Sequence, residues 1–265
     1  MVVVAALRGG GADAPGVVRC EVAETGSILA AVPPGDEAVV VLGEERDAAL
    51  VRAQASVLAD RDDDRAVAAR PIPHSPLAVL ALAALAAGSP SRDAGQVMAE
   101  LDAAISATLS LAWTRGVGGL AEPQPTLRQH LRSWLPWGAG FVVQHFPARG
   151  VLPVGGSPRT PWPAGSEAIR HELWVSGDAP QRALDWAHAA GGTQTARRVA
   201  AAVDPKQRYG APGAVEMCAV PTNPGALVRW VTDSTCPVCT RLTPTGTCAF
   251  CKRSSSPIAL LGGTE

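Results

Sequence analysis

The chain has 265 residues, 47% of them hydrophobic, and a formal net charge of −1 at pH 7. This length and apolar content suffice for one large or two smaller folded domains and exclude an intrinsically disordered chain. The longest apolar run, residues 77–87, is too short to cross a bilayer, and the N-terminus lacks the pattern of a secretory signal. We therefore expect a cytoplasmic protein with no membrane partner.

The strands and helices of the first half can be predicted from its hydrophobic periodicity. Strands are predicted at residues 2–7, 17–22, 27–32, 38–42 and 66–72, and helices at 47–59, 77–87 and 93–115. The prediction of the last helix is based on Leu101, Ile105, Leu109 and Trp113, which are spaced four residues apart. Alternating strands and helices of this kind predict an α/β fold in which helices cover a mixed sheet.

The second half begins after a Gly- and Pro-rich stretch near residue 120. It predicts helices at 126–134, 180–190 and 193–203, and strands at 141–146, 168–176, 215–220 and 226–232. Combined with the motifs below, this gives four predicted units: an acidic α/β domain (1–120), a basic second half or second domain (121–231), a zinc ribbon (232–254) and a tail (255–265).

Charge is distributed unevenly between the two halves. Residues 1–122 carry nine arginines against sixteen acidic residues, whereas residues 123–265 carry fourteen basic against eight acidic residues. No acidic residue occurs between positions 123 and 166. Such asymmetry is typical of a region that binds a polyanion, or of two halves that dock on each other, and the sequence leaves both interpretations open.

One segment has a spacing that implies a definite chemistry. Two Cys-x-x-Cys turns, Cys236/Cys239 and Cys248/Cys251, are separated by eight residues that include the turn sequence 244–246. Each turn directs two sulfurs to one point, and four thiolates suit a tetrahedral zinc ion. A dithiol redox pair and an iron site are the alternatives, although redox Cys-x-x-Cys motifs usually open a helix in a thioredoxin-like unit.

Residues 232–254 resemble a minimal zinc ribbon, in which two cysteine turns form the base of a short hairpin. The resemblance implies a structural Zn²⁺, because a closed four-cysteine shell leaves no position for a reacting water. The segment departs from the ribbon pattern at Thr240 and Lys252, where ribbons often carry glycine. The remaining cysteines, Cys20 and Cys218, are isolated in the sequence.

Arginines alternate with tryptophans in the acid-free stretch, a mixture that suits phosphate neutralisation and base stacking. The alternative is that the tryptophans anchor a core and the arginines form a solvated rim. The predicted anion-binding or nucleic-acid-binding residues are Arg128, Arg132, Arg149, Arg159, Arg197, Arg198, Lys206, Arg208, Trp137 and Trp162.

These observations support three functional hypotheses. The first is a non-catalytic zinc-ribbon accessory protein whose basic half binds nucleic acid or another polyanion. The second is a protein-interaction or assembly subunit of a larger complex. The third is an enzyme whose catalytic residues are scattered along the chain. The sequence contains no recognisable catalytic motif and indicates no small-molecule substrate. The histidines available to such an enzyme are His74, His130, His145, His171 and His188.

Overall fold

The structure is a computed structural model. It describes all residues except 10–12, 25, 36, 63–64, 121, 136–138, 156–168, 212, 229–234 and 252–265.

The N-terminal half forms a parallel sheet of four strands in the order β2-β1-β3-β4. Its two central strands, β1 and β3, begin with runs of valine and are buried almost throughout, as is typical of parallel strands covered on both faces. The strands are β1 (Val2–Leu7), β2 (Val17–Glu21), β3 (Val39–Glu44) and β4 (Val67–Ile72), and the helices that connect them are α1 (Ser27–Ala31) and α2 (Ala48–Arg61).

The centre of the molecule is α3 (Pro76–Ala87), whose side chains are almost all buried. A helix that is apolar all round must be covered on every side. Helix α3 packs against β1 and β3 of the first sheet and against two strands of the second sheet, His171–Ser176 and Val215–Pro221. Its first turn is capped by Ser75. The sequence prediction of a buried helix here is confirmed.

Among the described residues, the second sheet has six strands in the order β7-β6-β5-β10-β8-β9, and only the β8–β9 pair is parallel. Its strands are β5 (Leu109–Thr114), β6 (Phe141–Phe146), β7 (Gly150–Pro153), β8 (His171–Ser176), β9 (Ala196–Val199) and β10 (Val215–Pro221). The remaining helices are α4 (Ala94–Ala107), α5 (Leu127–Ser133), α6 (Gln181–Gly191) and α7 (Pro205–Tyr209). Short 3-10 turns lie at Glu45–Asp47 and Pro224–Leu227.

The predicted α/β class is confirmed, but several element predictions are wrong. Residues 27–31 form a helix after the left-handed Gly26, where a strand was predicted. The predicted helix at 193–203 is wrong, because Ala196–Val199 pair in parallel with β8 and form the edge strand β9. A 3-10 turn occupies the start of the predicted strand at 226–232, and residues 229–232 lie outside the described part of the chain.

The predicted long helix at 93–115 is two elements, α4 and β5. Thr108 between them has extended backbone. Residues four apart share a face in a strand as well as in a helix, so Leu109 and Trp113 fit both periodicities. Strand β5 joins the second sheet next to β6 and β10, whereas the predicted domain boundary falls after residue 120. The domain division remains a prediction.

None of the helices that the structure describes has the length and apolar character needed to traverse a bilayer.

Candidate functional site

A cavity of about 300 Å³ lies where β3 and β4 end, on the side that faces the second sheet. The carboxyl ends of parallel strands are the usual ligand-binding edge of an open α/β sheet. The first sheet supplies its walls from the end of β3, the following 3-10 turn and the β4–α3 loop, and the second half supplies β6 and α7. The lining residues are Glu44, Glu45, Arg46, Ile72, Pro73, His74, Glu122, Pro123, His145, Arg149 and Arg208.

Three guanidinium groups from separate elements converge on this cavity, and each has a carboxylate partner. The buried Glu44 accepts from Arg208 Nε at 3.0 Å and from Arg46 Nη2 at 2.7 Å. Arg149 donates to Glu45 at 2.7 Å, and both of these side chains are more than half exposed. Arg149 therefore has the partner that an incoming anion can displace most easily, because exposed ion pairs are weak.

Two of the lining histidines are buried and neutral. Burial lowers the pKa of His74 to about 4 and that of His145 to about 3. His74 Nε2 lies 2.9 Å from the carbonyl oxygen of Ile105, which accepts only if this nitrogen carries the proton. His74 Nδ1 and His145 Nε2 have no hydrogen-bond partner in the described part of the chain. The positive charge of the cavity therefore comes from its arginines.

A buried carboxyl group lies behind the cavity at the N-terminus of α3. Glu216 Oε2 accepts from the Leu77 N–H at 3.0 Å, and Oε1 accepts from the Tyr209 hydroxyl at 2.6 Å. Burial raises the pKa of Glu216 to about 7. The Leu77 N–H at the start of α3 is therefore already satisfied by Glu216, and the Ala78 N–H by the Ser75 hydroxyl.

The four cysteines Cys236, Cys239, Cys248 and Cys251 form a second site, which we call the cysteine module (residues 235–251). Their sulfur atoms all lie within 4.8 Å of one another and none is in a disulfide. The shortest Sγ–Sγ distances are 3.3 Å (Cys236–Cys251) and 3.4 Å (Cys239–Cys248). Tetrahedral zinc with bonds of about 2.3 Å separates its sulfurs by about 3.8 Å, so the cluster has the size of a metal site.

The backbone of the first cysteine turn also suits a thiolate. The N–H groups of Cys239 and Val238 lower the pKa of Cys236 to about 6. Thr240 has φ of +57°, in the left-handed region. Zinc ribbons often carry glycine at this position. The module can therefore bind a metal ion, while one of its turns is strained by a non-glycine residue.

The cysteine module docks on the N-terminus of α4. Asp93 caps α4 through Oδ1, and its Oδ2 accepts from the Leu242 N–H at 3.5 Å. A methyl group on Gly95 would lie 1.9 Å from the Leu242 carbonyl oxygen, so the module backbone approaches α4 as closely as glycine permits. Phe250 packs on the central core beside α3 and α4. The module is thus part of the folded body.

The predicted anion-binding residues that the structure describes lie at several different places. Arg208 and Arg149 lie at the cavity, Arg198 pairs with Asp178, and the Arg197 guanidinium lies 4.4 Å from the Trp174 ring centroid. Lys206 lies in α7, and Arg128 and Arg132 lie on α5 beside a separate groove. Arg159, Trp137 and Trp162 fall outside the described residues. As an anion-binding set these residues remain a prediction.

Sequence comparison finds neither a matching protein family nor a similar curated protein. Two solved structures share the fold. A DegV family protein from Eubacterium eligens loaded with heptadecanoic acid has a TM-score of 0.50 and 10% identity, over 73% of this chain and 76% of that one. The fatty acid kinase (Fak) B3 protein from Streptococcus pneumoniae loaded with linoleic acid has a TM-score of 0.51 and 9% identity, over 83% and 99%. The chain therefore has a DegV-like fold.

These findings correct the main functional prediction. The expectation of a nucleic-acid-binding accessory protein is wrong, because the fold is that of proteins whose structures hold fatty acids. The expectation of no small-molecule ligand is wrong for the same reason, and nothing in these likenesses supports an assembly subunit. Three of the arginines predicted to bind phosphate instead form ion pairs within the protein. Arg208 pairs with Glu44, Arg149 with Glu45 and Arg198 with Asp178.

The cavity could not be recognised from the sequence. Glu44 and Arg46 follow a buried strand, and such strand-end residues are a general signal for a site in an α/β fold. His74 and His145 were noted only as two of five histidines. Nothing in the sequence shows that Arg208, more than 160 residues away, would pair with Glu44.

Proposed function

We propose that the protein binds a carboxylic acid of the fatty-acid class and holds its carboxylate in the cavity beside β3 and β4. The observation that supports this proposal is the convergence of Arg46, Arg149 and Arg208 on one partly apolar cavity. Guanidinium groups are the preferred partners of carboxylates because they donate two parallel hydrogen bonds. The fatty acids in the two structural neighbours point to the same ligand class.

The charges of the cavity indicate how the ligand binds. Its three arginines face three glutamates, Glu44, Glu45 and Glu122, and its histidines are neutral. A ligand carboxylate must therefore compete for a guanidinium group that is already paired. Arg149 is the most accessible, whereas Arg46 and Arg208 share the buried Glu44. A volume of about 300 Å³ is at the lower end for ligand pockets, so we expect short acyl chains to fit best.

Two substitutions at one ion pair test this proposal. Arg149→Gln removes the accessible donor and is expected to weaken octanoate binding by roughly ten- to a hundredfold, as for a hydrogen bond to a charged group. Glu45→Gln removes the competitor and is expected to strengthen binding several-fold. Calorimetric titration measures both, with Arg52→Gln on the exposed face of α2 as the control. Equal affinities for Arg149→Gln and the control would contradict the proposal.

We also propose that the cysteine module binds a structural Zn²⁺. Four sulfur ligands suit Zn²⁺, and a closed sulfur shell provides no open coordination position for chemistry. The close approach of the module to α4 supports a structural role. Metal analysis of the purified protein should find one zinc per chain. Iron, or a metal-free chain that keeps its native stability, would contradict the proposal.

A further inference from the structure

Helix α5 presents an apolar surface to solvent. Thr126 and Gln129 form a capping box at its N-terminus. Gln129 also attaches the helix to the body, because its Nε2 donates to the Val151 carbonyl oxygen of β7 at 2.6 Å. No residue of α5 is buried. Leu127 is 77% exposed, Leu131 is 54% exposed and Trp134 is 78% exposed. This is the reverse of an ordinary surface helix, in which the apolar side chains face the core.

The exposed apolar residues are concentrated in one place. Among the residues that the structure describes, six large hydrophobic side chains are exposed, and four of them lie between positions 127 and 135. A cluster of this kind marks an interaction site, whereas single exposed hydrophobic residues are normal. We call Leu127, Arg128, Leu131, Arg132, Trp134 and Leu135 the α5 surface.

The charged side chains that line the groove beside α5 are all basic. Arg128 and Arg132 flank the apolar side chains, and Arg182 from α6 faces them across a groove of about 660 Å³. None of the three guanidinium groups has a partner among the described residues. No acidic residue occurs between positions 123 and 166, so the sequence around Arg128 and Arg132 offers no internal counter-charge. A partner that is both apolar and anionic is therefore complementary to this surface.

We propose that the α5 surface docks on an anionic lipid bilayer. Leucine and tryptophan beside arginine is the composition of interfacial membrane-binding segments, in which apolar side chains enter the acyl boundary and guanidinium groups meet lipid phosphates. A second copy of the chain is a poorer occupant, because a twofold contact would bring Arg128 and Arg132 against the same charges. The proposal concerns a different surface from the carboxylate cavity and does not depend on the proposed function.

Vesicle co-sedimentation tests the docking. The wild-type protein should bind vesicles of phosphatidylglycerol and phosphatidylcholine in equal parts and should not bind vesicles of phosphatidylcholine alone. Binding should decrease from 0.1 M to 1 M salt, as the Debye length falls from about 10 Å to about 3 Å. The double substitution Arg128→Gln with Arg132→Gln should weaken binding roughly thirtyfold, at about fivefold per arginine near an anionic surface.

Matched controls separate this surface from general surface chemistry. Leu131→Ser with Trp134→Ser should abolish sedimentation, whereas Leu29→Ser with Arg52→Gln, at exposed positions on α1 and α2, should leave it unchanged. Brominated lipids should quench the wild-type fluorescence more than that of Trp134→Phe. Circular dichroism checks that each variant is folded. Failure of the wild type to bind, equal binding to uncharged vesicles, or unchanged binding by the Leu131/Trp134 variant would each overturn the proposal.

Discussion

The arginine-lined cavity and the cysteine module are built in opposite ways. All four sulfur atoms of the module come from one stretch of sixteen residues, Cys236 to Cys251, and its geometry is mostly local. The cavity combines side chains from Glu44 to Arg208, which meet only because the two sheets pack around α3. A site whose ligands lie close in sequence is visible in the sequence, whereas a site assembled by tertiary packing is visible only in the fold.

The largest effect is expected from breaking the local site. Cys239→Ser should remove the bound metal, because structural zinc sites depend on all four ligands. We expect the metal content to fall from one per chain to nearly zero, and the amides of residues 235–251 to lose protection from hydrogen exchange. Cys20→Ala, at a buried cysteine outside the module, is the control and should retain the metal. Full metal retention by Cys239→Ser would contradict the four-sulfur site.

The contact between the module and the body can be tested at Gly95. A glycine-to-alanine change inside a helix normally stabilises a protein by up to about 1 kcal/mol. Here the new methyl group would collide with the Leu242 carbonyl, so Gly95→Ala should instead cost about 1–3 kcal/mol, as for overpacking. Urea denaturation measures the free energy of unfolding, with Ser106→Ala on the exposed face of α4 as the control. A gain of stability at Gly95 would show that the module is not docked there.

The buried carboxyl group behind the cavity gives a pH signature. The pKa of Glu216 is raised from about 4.5 to about 7 in the folded protein, so the native state binds more protons than the unfolded state between these values. Stability should therefore fall as pH rises from about 4.5 to 7, by on the order of 2–3 kcal/mol. Glu216→Gln can still pair with Leu77 and Tyr209 but cannot ionise, so it should lose this component of the pH dependence.

Urea denaturation of the wild type and the Glu216→Gln variant across this pH range measures the difference. The gap between their free energies of unfolding should shift in favour of the glutamine variant as pH rises. Parallel profiles of unfolding free energy against pH for the two proteins would show that burial does not raise the pKa of Glu216.

The smallest effect is expected at the strained turn of the module. Thr240→Gly relieves a left-handed backbone and should stabilise the metal-bound module by about 1 kcal/mol. Thr245→Gly is the matched control, because position 245 is in a neighbouring turn and does not have positive φ. Competition with a zinc chelator measures the relative affinities. Equal effects of the two glycines would indicate that Thr240 is not strained in the native turn.

The sequence predicted the elements whose signal is local and strong. The valine-rich strands β1 and β3, the buried helix α3 and the cysteine cluster were all predicted correctly. Strand β5 fits a helical prediction because Leu109 and Trp113 match both the helical and the strand periodicity. The edge strand β9 is mostly exposed, so its sequence lacks the alternation of apolar and polar residues that predicts a strand.

The cavity could not be predicted for a different reason. The charge imbalance between the halves suggested a polyanion-binding region. Some of these charges instead form ion pairs between the two halves. Arg208 pairs with Glu44, and Arg149 pairs with Glu45. The sequence is compatible with both interpretations, and only the tertiary structure shows which acid each arginine meets.

Parallel calorimetric titrations of the wild-type protein with octanoate and with octanol test the carboxylate-binding proposal most directly. The two ligands share an alkyl chain and differ in the charged head group. The arginine-lined cavity predicts saturable one-to-one binding of octanoate and at least tenfold weaker binding of octanol, since a charge-assisted hydrogen bond is lost. Equal affinity for the two ligands, or no binding of octanoate, would contradict a carboxylate site between the sheets.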